Sequence, residues 1–153
     1  MKNLLIVSHT PSPNTQRLIL ESISAINILN CENLLVTHTS AFKTTSEQVK
    51  ACDAIILFTP ENLGYMSGAL KDFFDRIYYP CLEETQGLPM ALIVRAGHDG
   101  TGTVRAVTTI CTGLKWNMVQ PPLVCKGGWQ EDFIAQCNEL ASVMAASLDC
   151  GII

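Results

Sequence analysis

The stretch that decides the fold is Thr59-Pro60-Glu61-Asn62-Leu63-Gly64-Tyr65-Met66-Ser67-Gly68-Ala69-Leu70-Lys71-Asp72-Phe73-Phe74-Asp75-Arg76. Just before it, Ala54–Phe58 is a short unbroken apolar run, the pattern of a strand covered on both faces. This strand, read as Ala54–Thr59, is expected to stop at Pro60, and a glycine-bearing loop follows. Leu70, Phe73, Phe74, Ile77 and Tyr78 then recur at helical spacing, so an amphipathic helix starts at once, with Pro80 as its expected end. In an open α/β sheet, ligands sit beyond the carboxyl ends of the strands, on loops of this kind. The loop offers backbone amides and a flat apolar wall rather than a nucleophile. That suits a planar ring.

The same alternation extends to both ends of the chain. Leu4–Val7, Asn33–His38, Pro89–Val94 and Asn117–Val124 read as the other strands. Between them, Leu18, Ile19, Ile23 and Ile26 form one stripe of a helix over Gln16–Ile28, and Ser46 can cap a short helix through Ala51. Val104, Val107, Cys111 and Leu114 mark another helix, and Phe133, Cys137, Leu140, Ala141, Met144 and Leu148 a closing one. Pro121 and Pro122 interrupt the last strand and place it at an edge. Five β-α units with no linker imply one domain over residues 1–153. Its expected architecture is an α/β doubly wound, five-stranded parallel sheet with helices on both faces and right-handed crossovers. Spacing alone leaves the strand order open. The order 2-1-3-4-5 is a common solution, and its switch point lies between strands 1 and 3.

Composition excludes several classes of function. A chain of 153 residues buries roughly two-thirds of its unfolded surface. At 48% hydrophobic and 16% charged it is not disordered. A net charge of −4 without blocks of like charge gives no nucleic-acid footprint. The apolar runs are too short for a membrane span, and Leu4–Val7 leads into Ser8 and His9 with no cleavage pattern. Seven cysteines, odd in number and without a C-x-x-C pair, make neither a disulfide scaffold nor a zinc site. They read as small core residues of a reduced, cytoplasmic protein, with Cys81 the one expected at the surface.

A second distinctive loop, Thr10-Pro11-Ser12-Pro13-Asn14-Thr15, joins the first strand to the first helix. Three hydroxyls and a side-chain amide at a helix N-terminus favour an anion, phosphate above all, and Arg17 is the nearest cation. The plainer reading is that Asn14 or Thr15 caps the helix and the prolines stiffen a turn. Neither a G-K-[ST] phosphate loop nor a G-x-G-x-x-G fingerprint is present.

These two loops resemble those of the flavodoxin-like flavin proteins, in particular the NAD(P)H-dependent FMN reductases and quinone reductases. Thr10–Thr15 is similar to the flavodoxin phosphate loop T-x-T-G-x-T, with Pro13, which has no amide proton, where glycine is usual. Pro60–Lys71 is similar to the reductases' P-E-Y-N-x-x-x-x-G-x-L-K segment, with Asn62-Leu63 in place of Tyr-Asn. The resemblance implies a flavodoxin-like fold holding FMN. Thr10, Ser12, Asn14 and Thr15 would meet the phosphate. Pro60, Glu61, Asn62, Leu63, Gly64, Tyr65 and Met66 would hold the ring, and Gly97 in the glycine-rich turn after strand 4 would line its edge. His98, Asp99 and Thr103 read as plain loop, turn and cap residues.

The resemblance further implies hydride transfer from NAD(P)H through FMN to a small acceptor such as a quinone or a flavin, in a homodimer. No catalytic side chain and no metal are expected, because the flavin does the chemistry. Glu61 reads as a loop-closing acceptor. Two alternatives are an electron carrier of the flavodoxin type without an NAD(P)H site, and a cofactor-free binding module of the same fold.

Overall fold

The computed structural model describes residues 1–153. In chain order the elements are β1 (Lys2–Ser8), α1 (Pro13–Ile28), β2 (Leu34–Ser40), α2 (Ser46–Ala51), β3 (Ala54–Asn62), β4 (Tyr65–Met66), α3 (Gly68–Cys81), β5 (Pro89–Ala96), α4 (Thr101–Gly113), β6 (Asn117–Met118), β7 (Leu123–Lys126) and α5 (Asp132–Asp149). The sheet runs β2-β1-β3-β5-β6, with β7 also on β5 and every pairing along it parallel. Setting aside the small β4 hairpin on β3, this is the flavodoxin-like order. The fold is therefore an α/β doubly wound parallel sheet.

The unbroken apolar runs are explained by burial on both faces. Leu4, Ile6, Ile56, Phe58 and Ile93 point to one side, where Leu18, Ile19, Phe133 and Met144 of α1 and α5 cover them. Leu5, Val7, Leu57, Leu92 and Val94 point to the other, against Val49, Phe73, Phe74 and Val107 of α2, α3 and α4. Strand period 2 sends neighbours to opposite layers, and each layer has its own helices. None of these helices is long and apolar enough to cross a membrane.

The structure corrects several sequence readings. Strand β3 does not stop at Pro60 but continues to Asn62. Phe58 accepts a hydrogen bond from the His9 amide on the β1 side, so Pro60, two residues on, faces the same side, where β1 has already ended at Ser8. A missing N–H there removes no ladder bond. The last strand is broken in two by Pro121 and Pro122, giving β6 and β7. Helix α3 runs one residue past Pro80, which sits in its final turn, where little of the hydrogen-bond ladder remains to be lost. The caps of α1 and α2 are Ser12 and Thr45, one to three positions before the residues favoured from sequence.

Cys81 is fully buried, not exposed. Of the seven free thiols only Cys31 and Cys150 reach solvent, and burial pushes those of Cys52 and Cys111 up to about 12. A maleimide should therefore label two sites in the native protein and all seven in guanidinium, read by intact mass. Native labelling of Cys81 would contradict the packing described here.

Candidate functional site

Three loops meet at the carboxyl edge of the sheet, and local chemistry shapes each one. After β1, Ser12 is the N-cap of α1 and Pro13 fills its first position, where the absent N–H costs nothing. Ser12 Oγ accepts from the Thr15 amide at 3.2 Å, and the Ser12 amide donates back to Thr15 Oγ1 at 3.1 Å. This reciprocal box commits two of the loop's three hydroxyls to holding its shape. The Thr10 hydroxyl and the Thr10 and Asn14 amides have no intramolecular partner at the positive end of the 16-residue helix. Arg17 is held bidentately by Glu131 at 3.0 and 3.1 Å, which leaves the loop's donor set neutral.

After β3 the chain makes a tight hairpin. Asn62 pairs with Tyr65, and Leu63 and Gly64 both turn with positive φ, 54° and 74°. Gly64 suits that geometry, whereas Leu63 adopts it against its Cβ sterics and stands fully exposed. Tyr65 is also exposed, while the Met66 side chain is buried under α3 and Pro60 is buried in the strand. Below the turn, Thr59 Oγ1 accepts from the Ser67 amide at 3.0 Å and bonds Ser67 Oγ at 3.0 Å. Ser67 Oγ in turn caps α3 by accepting from the Leu70 amide at 3.2 Å. All of this lies in the interior, since Thr59 and Ser67 are buried.

The third loop, Gly97–Gly100, follows β5. Asp99 turns it by accepting from the Thr101 amide, and that bond holds its carboxyl below the ordinary range. Glu61 Oε1 accepts from the His98 amide at 3.2 Å, tying the hairpin to this loop. Behind the hairpin, a Cβ on Gly102 would lie 2.0 Å from the Gly64 carbonyl oxygen, so the turn rests directly on the first turn of α4. The amides of Leu63, Gly64 and Gly97 have no partner within the chain.

Residues 14–130 match the family described as NADPH-dependent FMN reductase. The chain belongs to that family. It is an NAD(P)H-dependent FMN oxidoreductase. No sequence among curated proteins matches the reductase. Solved structures share its fold. A flavodoxin from the domain Archaea superposes with a TM-score of 0.79 at 16% identity, covering 95% of this chain and 98% of that one. An azoreductase from Bacillus anthracis gives 0.70 at 15%, covering 95% and 99%. An NADH:FMN oxidoreductase in its apo form gives 0.74 at 14%, covering 97% and 90%.

The groups of the reductase fit FMN. Neutral amides and a free hydroxyl at a helix N-terminus suit a phosphate, and unpaired amides beside an apolar wall suit a ring with polar edges. Of the twelve residues picked from sequence, Thr10, Ser12, Asn14 and Thr15 share the first loop, and Pro60 through Met66 share the hairpin. Gly97 is brought beside the hairpin through the Glu61–His98 contact.

Sequence reading missed Thr59, Ser67 and Gly102, which support the hairpin from behind. It also missed Arg95, although a lone cation near the end of an apolar strand is a visible signal. Because Ser12 caps and Thr10 does not, the two should behave differently when changed. Ser12→Ala should lower stability by about 1 kcal/mol, whereas Thr10→Ala should weaken FMN binding with an unchanged melting temperature. Calorimetry beside a fluorescence titration would separate them.

Proposed function

We propose that the reductase passes hydride from NAD(P)H, by way of FMN, to a small acceptor such as a quinone or a free flavin. The observation that supports this most is the mutual closure of the hairpin and the glycine loop. Glu61 holds the His98 amide and Gly64 rests on Gly102, while the Leu63, Gly64 and Gly97 amides stay unpaired. A rigid frame with free donors is what orienting a planar redox ring requires.

Bound FMN supplies hydride acceptance at its N5 and electron donation to the acceptor. The chain supplies everything else. The amides of Thr10 and Asn14 and the Thr10 hydroxyl bind the phosphate, on a loop that Ser12 and Thr15 keep in shape. Residues Pro60 to Met66 hold the ring by their backbone, and the exposed side chains of Leu63 and Tyr65 form its apolar wall. Gly97 donates at the ring's edge. Glu61 serves the loop contact instead of acting as a base, because its carboxylate is already engaged with His98. A homodimer across α3, where Tyr79 is largely exposed, completes this reading.

The test is the colour of the purified protein and its response to reductants. A yellow protein, or one that quenches added FMN, and whose flavin is bleached by NADH or NADPH supports the proposal. Failure to take up FMN would overturn it. Bleaching by dithionite but by neither nicotinamide would instead make the protein a flavodoxin-type carrier.

A further inference from the structure

Arg95 is the next-to-last residue of β5, and its charge is satisfied in an unusual way. Its Nη1 donates to three carbonyls, those of Ala96 at 2.8 Å, Cys125 at 3.1 Å and Gly127 at 2.8 Å. The guanidinium lies 5.0 Å from the Phe133 ring centroid and 6.0 Å from that of Trp129. No carboxylate pairs with it, in contrast to Arg17, which shares the same indole but is neutralised by Glu131. Carbonyls and aromatic faces satisfy protons and attract a cation, yet they leave a net positive charge in a half-buried place. For holding β5 to β7, neutral hydrogen-bonding groups would suffice.

The charge has a defined outlet. The Ala96 carbonyl accepts twice, from Arg95 Nη1 and from the Gly127 amide at 2.9 Å. The other end of that same peptide is the Gly97 N–H, which has no partner within the chain. A carbonyl that accepts two hydrogen bonds, one of them from a cation, polarises its peptide and strengthens the N–H as a donor. Arg95 also fixes the direction of that N–H, because Ala96, Cys125 and Gly127 are gathered on one nitrogen.

We propose that Arg95 is a positioning residue for the redox chemistry. Through the Ala96–Gly97 peptide it aims and strengthens the Gly97 donor, and so favours the reduced, more negative form of the bound flavin over the oxidised form. This rests on the proposed FMN site and extends it to a residue outside the three loops. No bond is made or broken at Arg95. Its effect is a ratio of two affinities.

The experiment compares wild type, Arg95→Gln and Arg95→Lys, all with FMN. Oxidised FMN is titrated by fluorescence and photoreduced FMN anaerobically, with a melting curve as a check on folding. Arg95→Gln keeps an NH₂ donor for the carbonyls but removes the charge. It should lower the ratio of reduced to oxidised affinity about tenfold, which is ~30 mV for a two-electron couple. Arg95→Lys keeps the charge and brings three N–H donors for the three carbonyls, so it should hold the ratio to within about twofold of wild type.

An unchanged ratio in a folded Arg95→Gln would overturn the proposal and leave Arg95 as a staple between strands. A tenfold change in Arg95→Lys would overturn it too, and that result can be read even if the glutamine variant does not fold. Wild-type protein that binds no FMN is a different result, one that removes the cofactor site itself.

Discussion

Gly102→Ala is expected to reduce kcat/KM for the proposed NAD(P)H-driven reaction about a hundredfold while the protein stays folded. The added Cβ would sit 2.0 Å from the Gly64 oxygen and 3.2 Å from its carbon. Both atoms are backbone, so no side chain can swing aside and one element has to shift. Helix α4 is anchored in the core through Thr103, Val107 and Cys111, whereas the hairpin has only two residues in its second strand. The hairpin therefore gives way, carrying the Leu63 and Gly64 amides with it and straining the Glu61–His98 contact. Alanine is itself better suited to a helix than glycine, so the melting temperature should hardly fall. Steady-state kinetics at saturating FMN, read beside a melting curve, would check this. Near wild-type kcat/KM would show that the position of the hairpin does not matter to the chemistry.

Thr59→Val should act on the same hairpin from below, with its larger effect on stability. Valine matches threonine in shape, so no cavity opens. What disappears is the hydroxyl that bonds the Ser67 amide, the Ser67 hydroxyl and, at 2.8 Å, the Pro60 carbonyl. The Ser67 amide is then buried without a partner, and the cap of α3 loses the group that orients it. A loss of about 2 kcal/mol is expected, equivalent to roughly 4–8 °C in melting temperature for a chain of this size. Calorimetry measures it directly. A change under 1 °C would mean that water or a backbone shift replaces the lost bonds.

Much of this was legible in the sequence, for identifiable reasons. The parallel sheet could be read because strands buried on both faces are apolar at every position, as at Leu4–Val7 and Ile55–Phe58. The two candidate loops could be read because they are the polar and glycine-bearing breaks after the first and third of those strands. The hairpin could not. A two-residue turn with positive φ at both positions calls for Asn-Gly or Asp-Gly, and Leu63-Gly64 carries half of that signal, with a leucine that the geometry disfavours. Pro60 was misread because its tolerance depends on where β1 ends, a fact of tertiary structure. The cap at Ser12 was within reach. Pro13 fits the first position of a helix, which puts the N-cap one residue earlier. Arg95 stands out as a cation in an apolar strand, but its partners are carbonyls and rings, so no charged partner in the sequence points to its role.

The break that Pro121 and Pro122 make in the last strand has a consequence for how molecules meet. One flank of the sheet ends in two fragments, of two and four residues, with two adjacent prolines between them that cannot donate. A foreign strand finds little to pair with there. The opposite flank is β2, seven residues of continuous strand with half-exposed Leu35 and no lysine, arginine, aspartate or glutamate between Leu34 and Ser40. Natural sheets guard such rims with charge, proline or bulges. This one guards a single side, so crowding or partial unfolding should lead to self-association through β2.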